Sequence, residues 1–129
     1  MSKTVELNDT NFAELIDNND LVIVDFWAEW CGPCKNFAPV FSSAADKHEE
    51  IVFAKVDTEA AQGLAQQFQI RSIPTLMVFK EQVVVFSQAG AMPANTFDQL
   101  IGQAKELDME VVRQEIQKQQ SEQQAEQQV

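Results

Sequence analysis

The sequence predicts an α/β domain, a three-layer α/β/α sandwich around a mixed central sheet. Three observations carry that expectation. Short apolar runs alternate with stretches whose apolar residues recur every three or four positions. Leu21–Trp27 is an almost unbroken apolar run, as suits a strand covered on both faces. Two strand-like segments near residue 80 lie too close together for a crossover and predict an antiparallel pair.

Taken in order, residues 4–6 predict a brief edge strand, and residues 11–18 a helix with Phe12, Leu15 and Ile16 on one side. After the central strand, residues 32–49 predict a helix in which Phe37, Ala38, Phe41, Ala44, Ala45 and His48 form a buried stripe. Pro39 inside it predicts a bend, because one backbone hydrogen bond is lost there. Residues 51–57 follow as a strand and 60–68 as a short helix. Thr75–Lys80 and Val83–Gln88 predict a hairpin joined by Glu81-Gln82, a pair without the usual glycine or asparagine. From about Asn95 the chain turns helical, packing through Phe97, Leu100, Ile101 and Ala104.

Beyond residue 108 the composition changes, and the chain divides into a domain (1–108) and a Gln-rich acidic extension (109–129). Half of the sixteen residues from Gln114 onward are glutamine. Leu107, Val111 and Ile116 are spaced to prolong the last helix by two or three turns, with a solvated helix or frayed tail expected after that.

The chain has 129 residues, 45% of them hydrophobic, enough for one core. Twenty acidic against nine basic residues give a net charge of -11, which disfavours a nucleic-acid surface. No run is long enough to span a membrane, and the polar start MSKTVELND has no secretory pattern, so a cytoplasmic protein is expected.

WAEWCGPCK, residues 27–35, holds the only two cysteines. A bridge over so short a loop removes little unfolded-state entropy, so stability is a poor reason for it. A structural zinc site wants four ligands, and the chain offers two cysteines and one histidine, His48. A pair that opens and closes fits better. Cys31 follows a buried strand at the carboxyl end of the sheet, and Pro33 suits a first helical turn. Unpaired N–H groups and the helix dipole there favour a thiolate. Cys31, the more exposed, is the expected nucleophile, and Cys34, one turn in, the group that resolves the mixed disulfide.

Other positions leave alternatives open. Asp25 interrupts the most buried strand, where a carboxylate is costly. It either exchanges a proton with Cys34 or serves only as a hydrogen-bond acceptor. Lys55 either faces solvent or reaches Asp25. Pro74 in Ile73-Pro74-Thr75 is either ordinary strand entry or a cis proline that presents a backbone edge to an extended substrate. Trp30 reads as an apolar platform and Trp27 as a core aromatic.

With these residues in hand, the sequence resembles the thioredoxin family over about residues 3–108. The stretch Val24–Lys35 with its CGPC, Pro39, Lys55-Val-Asp57, Ile70–Leu76 with its Ile-Pro-Thr, Phe79-Lys80 and Gly90-Ala91 follow the family's order and spacing. The resemblance implies a thioredoxin-like fold and a protein-disulfide reductase. In it Cys31 attacks, Cys34 resolves to leave a Cys31–Cys34 disulfide, and Asp25 handles the proton with Lys55 near it. Pro74 would be the cis proline, and Trp30, Gly32, Pro33, Ile73, Pro74, Gly90 and Ala91 would form a shallow substrate groove. Implied partners are an NADPH-dependent thioredoxin reductase and disulfide-containing client proteins, with no tightly bound cofactor, no metal, and a monomeric state. Two departures stand out: the hairpin turn reads Lys80-Glu-Gln-Val83 where family members commonly have glycine, and the extension has no family role. Rival readings are an oxidant or isomerase on the same fold, and a non-catalytic clamp that holds a partner in the groove.

Overall fold

The structure is a computed structural model and describes residues 3–127; Gln128 and Val129, the end of the expected extension, lie outside the described residues. Elements run β1 (Val5–Leu7), α1 (Phe12–Asp17), β2 (Leu21–Trp27), α2 (Gly32–Lys47), β3 (Val52–Asp57), α3 (Gln62–Gln67), β4 (Thr75–Lys80), β5 (Val83–Ala89), α4 (Ala94–Glu106) and α5 (Met109–Gln127).

One five-stranded sheet is ordered β1-β3-β2-β4-β5. β1 and β2 run parallel to β3, while β4 is antiparallel to β2 and β5 to β4. The sheet is therefore mixed, with β2 in the middle and β1 at an edge, as the sequence predicts. Alternation along β2 sends Ile23 to one face and Val22, Val24 and Phe26 to the other. The Ile23 face packs under α2 and α4 through Phe37, Phe41, Phe97 and Ile101. The opposite face is covered by Phe12 and Ile16 of α1 and Leu64 of α3. Phe41 makes an edge-on contact with Phe53 at 5.4 Å and stacks on Phe97 at 5.9 Å, which joins both helices to the sheet.

Three expectations are corrected. His48 is not on the buried stripe of α2: the helix stops at Lys47, and His48 caps it, half-buried against Phe53. The Lys105 ammonium donates to His48 Nδ1 at 2.9 Å. Nor does the last helix simply continue. Leu107 leaves α4 in an extended conformation, and a new helix starts where Asp108 Oδ1 accepts from the N–H groups of Glu110 and Val111. A lysine makes that break possible, since Lys80 Nζ donates to the carbonyls of Ala104, Lys105 and Leu107 at 2.7–2.9 Å. The packing residues of α5 also differ: Met109 is buried and Val112 and Ile116 half-buried, while Val111 is 53% exposed. Arg113 pairs with Glu81 of the hairpin turn.

That turn explains its unusual residues. Glu81 (φ 50°) and Gln82 (φ 68°) both occupy the left-handed region, the signature of a two-residue type I′ hairpin. Side chains resist this conformation by about 1 kcal/mol or more per residue. Local bonds compensate: the Glu81 N–H donates to the Asp20 carbonyl at 2.7 Å. Gln82→Gly should therefore raise the unfolding free energy by about 0.5–1 kcal/mol in urea titrations. An unchanged or lower midpoint would mean that the Gln82 side chain, whose amide reaches the Asp17 carbonyl at 3.4 Å, holds the turn more firmly than its backbone resists.

Candidate functional site

The site is assembled where β2 hands over to α2. Past Trp27 the chain makes a tight turn, with the Cys31 N–H donating to the Ala28 carbonyl at 3.2 Å. Cys31 then takes the N-cap position of α2, with Pro33 in the first turn. Its sulfur does what a serine or aspartate oxygen usually does there: Sγ accepts the Cys34 N–H at 3.2 Å. The two cysteines are joined as a disulfide with Cα atoms 5.3 Å apart. Once the bridge opens, that N–H and the helix dipole favour the anionic form of the Cys31 sulfur.

Exposure alone does not separate the two sulfurs. Cys31 is 4% exposed and Cys34 2%, packed with Ala28 and flanked by Trp27 and Ile73. Cys31 is the more exposed of the two, as expected, but by a margin too small to set the roles. Its distinction is electrostatic, since its sulfur is the one receiving a helix amide.

The other expected residues gather from three further segments. Ile73-Pro74 is a cis peptide bond, and the Ile73 carbonyl oxygen lies 3.7 Å from Cys31 Sγ. The Gly90 N–H donates to the Pro74 carbonyl at 2.7 Å, which ties the end of β5 to this loop. Gly90 sits at φ +101°, a conformation that suits glycine, and leads into exposed Ala91. Gly32 and Pro33 are exposed at the helix start. Trp30 is 69% exposed, and its indole N–H donates to Glu59 Oε1 at 2.6 Å. Glu59 is a partner that the sequence reading missed. It lies in the turn after β3, 29 residues from Trp30, and no local pattern links them.

Asp25 and Lys55 occupy paired positions on β2 and β3. Alternation puts both on the face that carries Ile23 and Phe53, the face beneath α2. Lys55 is half-buried on that face, with its ammonium 4.8 Å from the centroid of the Trp27 ring. Trp27 is half-buried above it. Asp25 is fully buried, and neither carboxylate oxygen has a hydrogen-bond partner among the described residues. Burial pushes its pKa up from the ordinary 3.8 to about 6, against the opposing pull of the Lys55 charge. Among the described residues no three His, Cys, Asp or Glu side chains cluster to hold a metal ion. No described helix is long and apolar enough to cross a membrane.

The raised pKa makes the stability of the fold depend on pH. Because the folded state holds the Asp25 proton more tightly than the unfolded chain, the group opposes folding least below 3.8. Its cost grows until pH passes about 6. The full effect is about 3 kcal/mol. In oxidised protein, Asp25→Ala should therefore gain stability over wild type between pH 4 and 8, the gain widening by about that amount in urea unfolding. A difference that stays flat with pH would mean that the carboxyl titrates normally.

Comparison with known proteins agrees with this architecture. The family model described as thioredoxin matches residues 3–103. The chain is 53% identical over 121 residues to "Putative thioredoxin 2" of Streptomyces coelicolor, covering 94% of this chain and 90% of that protein. A match of that length reaches into α5, so the extension has a counterpart in that relative. The chain is also 45% identical over 100 residues to thioredoxin C-3 of Corynebacterium nephridii, covering 77% and 69% of the two chains. Among solved structures, a Plasmodium falciparum thioredoxin superposes with a TM-score of 0.73 at 36% identity, over 78% of this chain and 98% of that one. The chain belongs to the thioredoxin family, and its oxidoreductase chemistry is dithiol–disulfide exchange through Cys31 and Cys34.

Proposed function

We propose that the chain is a cytoplasmic, monomeric protein-disulfide reductase, returned to its dithiol form by an NADPH-dependent thioredoxin reductase. The observation that carries this reading is the Cys34 N–H aimed at Cys31 Sγ at the head of α2, 3.2 Å away. It supports a low-pKa nucleophile at a position where α/β folds bind their ligands.

The cycle starts from the dithiol. The Cys31 thiolate attacks one sulfur of a client disulfide; the other client sulfur leaves as a thiolate and takes up a proton. Cys31 and the client are then joined by a mixed disulfide. Cys34 loses its proton to Asp25, whose raised pKa suits an acceptor near neutral pH, and attacks Cys31 Sγ. The client's second sulfur departs as a thiolate, and the bridged form described above remains. Two electrons have passed to the client, and the reductase restores them. Lys55, beside Asp25, limits how far that pKa rises. Trp30, Gly32, Pro33, Ile73, Pro74, Gly90 and Ala91 would form the platform on which an extended client segment lies.

Insulin reduction with dithiothreitol tests the nucleophile. Wild type should accelerate precipitation of the insulin chains and Cys31→Ser should not; equal acceleration by both would remove Cys31 from its role. Cys34→Ser should accumulate covalent client adducts that dithiothreitol releases, because attack survives while resolution is lost. Absence of any adduct would sink the assignment of Cys34. A redox titration against glutathione separates a reductant from an oxidant or isomerase: a reductant's disulfide persists in modest glutathione, whereas an oxidant's is readily reduced.

We also propose that residues 109–129 lie outside the catalytic unit, a reading supported by the pairing of Arg113 of α5 with Glu81 of the hairpin turn, at the far end of the sheet from the cysteines. Removal of residues 110–129 should leave the insulin rate within about twofold of wild type, the scatter expected for changes remote from a site. A large loss would make α5 part of the working domain.

A further inference from the structure

A cleft of about 280 Å³ adjoins the disulfide, lined by Trp30, Thr58, Ile70, Arg71, Ser72 and Ile73. Two of its lining residues lie beside the disulfide: Trp30 precedes Cys31, and the Ile73 carbonyl is 3.7 Å from Cys31 Sγ. Most of the lining is neutral; Arg71 is the exception. Other charges nearby are engaged: Glu59 accepts from Trp30, and Glu29 pairs with Lys35 at 3.9 Å. Arg71 is exposed, and among the described residues its guanidinium has no hydrogen bond or ion pair.

An unengaged guanidinium is unexpected in a chain where acids outnumber bases by twenty to nine. Arg71 lines the cleft, and a guanidinium's planar fork matches a carboxylate with two parallel N–H donors. The overall charge of -11 repels acidic clients at long range. A single local cation cannot reverse that field, but it can decide which register an acidic segment adopts once in contact, where water is partly displaced.

We propose that Arg71 is a specificity-determining residue for the exchange reaction. It selects client disulfides whose attacked cysteine is flanked by an aspartate or glutamate that falls into this cleft. The inference rests on the reductase reading above and adds the chemical class of client which that site prefers.

The test uses the full-length reduced protein and peptides with one internal disulfide, identical except for one residue. Glu, Gln or Lys is placed in turn at each of the two positions on either side of the attacked cysteine. Second-order rate constants for a single turnover are followed by tryptophan fluorescence for wild type, Arg71→Gln, Arg71→Lys and Arg71→Glu. At one of the four positions the Glu-to-Lys rate ratio should fall about three- to tenfold from wild type to Arg71→Gln, the size of a modest interfacial charge coupling. It should invert in Arg71→Glu and lie between in Arg71→Lys. About 0.5 M salt should shrink the differences. Ratios unchanged across the variants would overturn the proposal, as would equal effects at all four positions, which signify only a diffuse field. If wild type reduces none of the peptides, the Gln series included, the reductase reading itself fails and this inference falls with it.

Discussion

The bond on which the site depends is the one from the Cys34 amide to the Cys31 sulfur. Helix starts leave amides without partners, and an oxygen-bearing side chain usually takes one of them. Here sulfur occupies that position, so the requirement that caps α2 also lowers the cost of a charged Cys31. The arrangement needs the helix start to be rigid, and the sheet makes it so. β2 is paired on both sides, and its two faces are packed by α2 with α4 and by α1 with α3. A cysteine on a loose loop would have no fixed amide to meet.

Asp25 is the price of that placement. An unpartnered carboxyl at the centre of the sheet works against folding whenever it is ionised, and the surrounding apolar residues offer no relief. Lys55 is the available counter-charge, but it is held over the Trp27 ring, which shares its charge. The outcome is a carboxyl that is neither firmly ionised nor firmly neutral near pH 6. A carboxyl in that intermediate state can both take up and release a proton near neutral pH, which a fully paired aspartate would not do.

Much of this was legible in the sequence because it is written in local patterns. Alternating apolar runs gave the strands, three- and four-residue periodicity gave α2 and α4, and the CGPC segment located the helix start. Asp25 declared itself as a residue out of place, whereas Pro74 read equally as ordinary strand entry until the resemblance favoured the cis form that the structure has. What escaped depends on contacts distant in sequence. Glu59 reaches Trp30 across 29 residues, and Lys80 closes α4 from the far end of β4. The break at Leu107 was invisible for the same reason: the apolar spacing of 107, 111 and 116 fits a continuous helix, and only the lysine that satisfies the terminal carbonyls lets the chain stop and restart. Once it restarts, the face presented to the domain shifts to Met109, Val112 and Ile116. Near-equal burial of the two cysteines escaped as well, because Ile73 arrives from a different part of the chain.

The molecule thus concentrates its two kinds of unusual geometry at opposite ends of the sheet. β2 runs from Leu21 to Trp27, and its carboxyl end meets the cysteines while its start lies beside the hairpin turn, where Leu21 pairs with Lys80. At the hairpin end, left-handed Glu81 donates its N–H to the Asp20 carbonyl and Gln82 its amide to the Asp17 carbonyl, and Lys80 and Arg113 tether α4 and α5. Those contacts are peripheral, and most involve exposed groups, so each contributes modestly to stability. At the cysteine end Asp25 is buried and the Cys34 N–H is taken up by the Cys31 sulfur, while Trp30 and Glu59 pair at the surface. With the paired length of β2 between them, the left-handed turn and its tethers lie at one end of the central strand and the cysteine pair at the other.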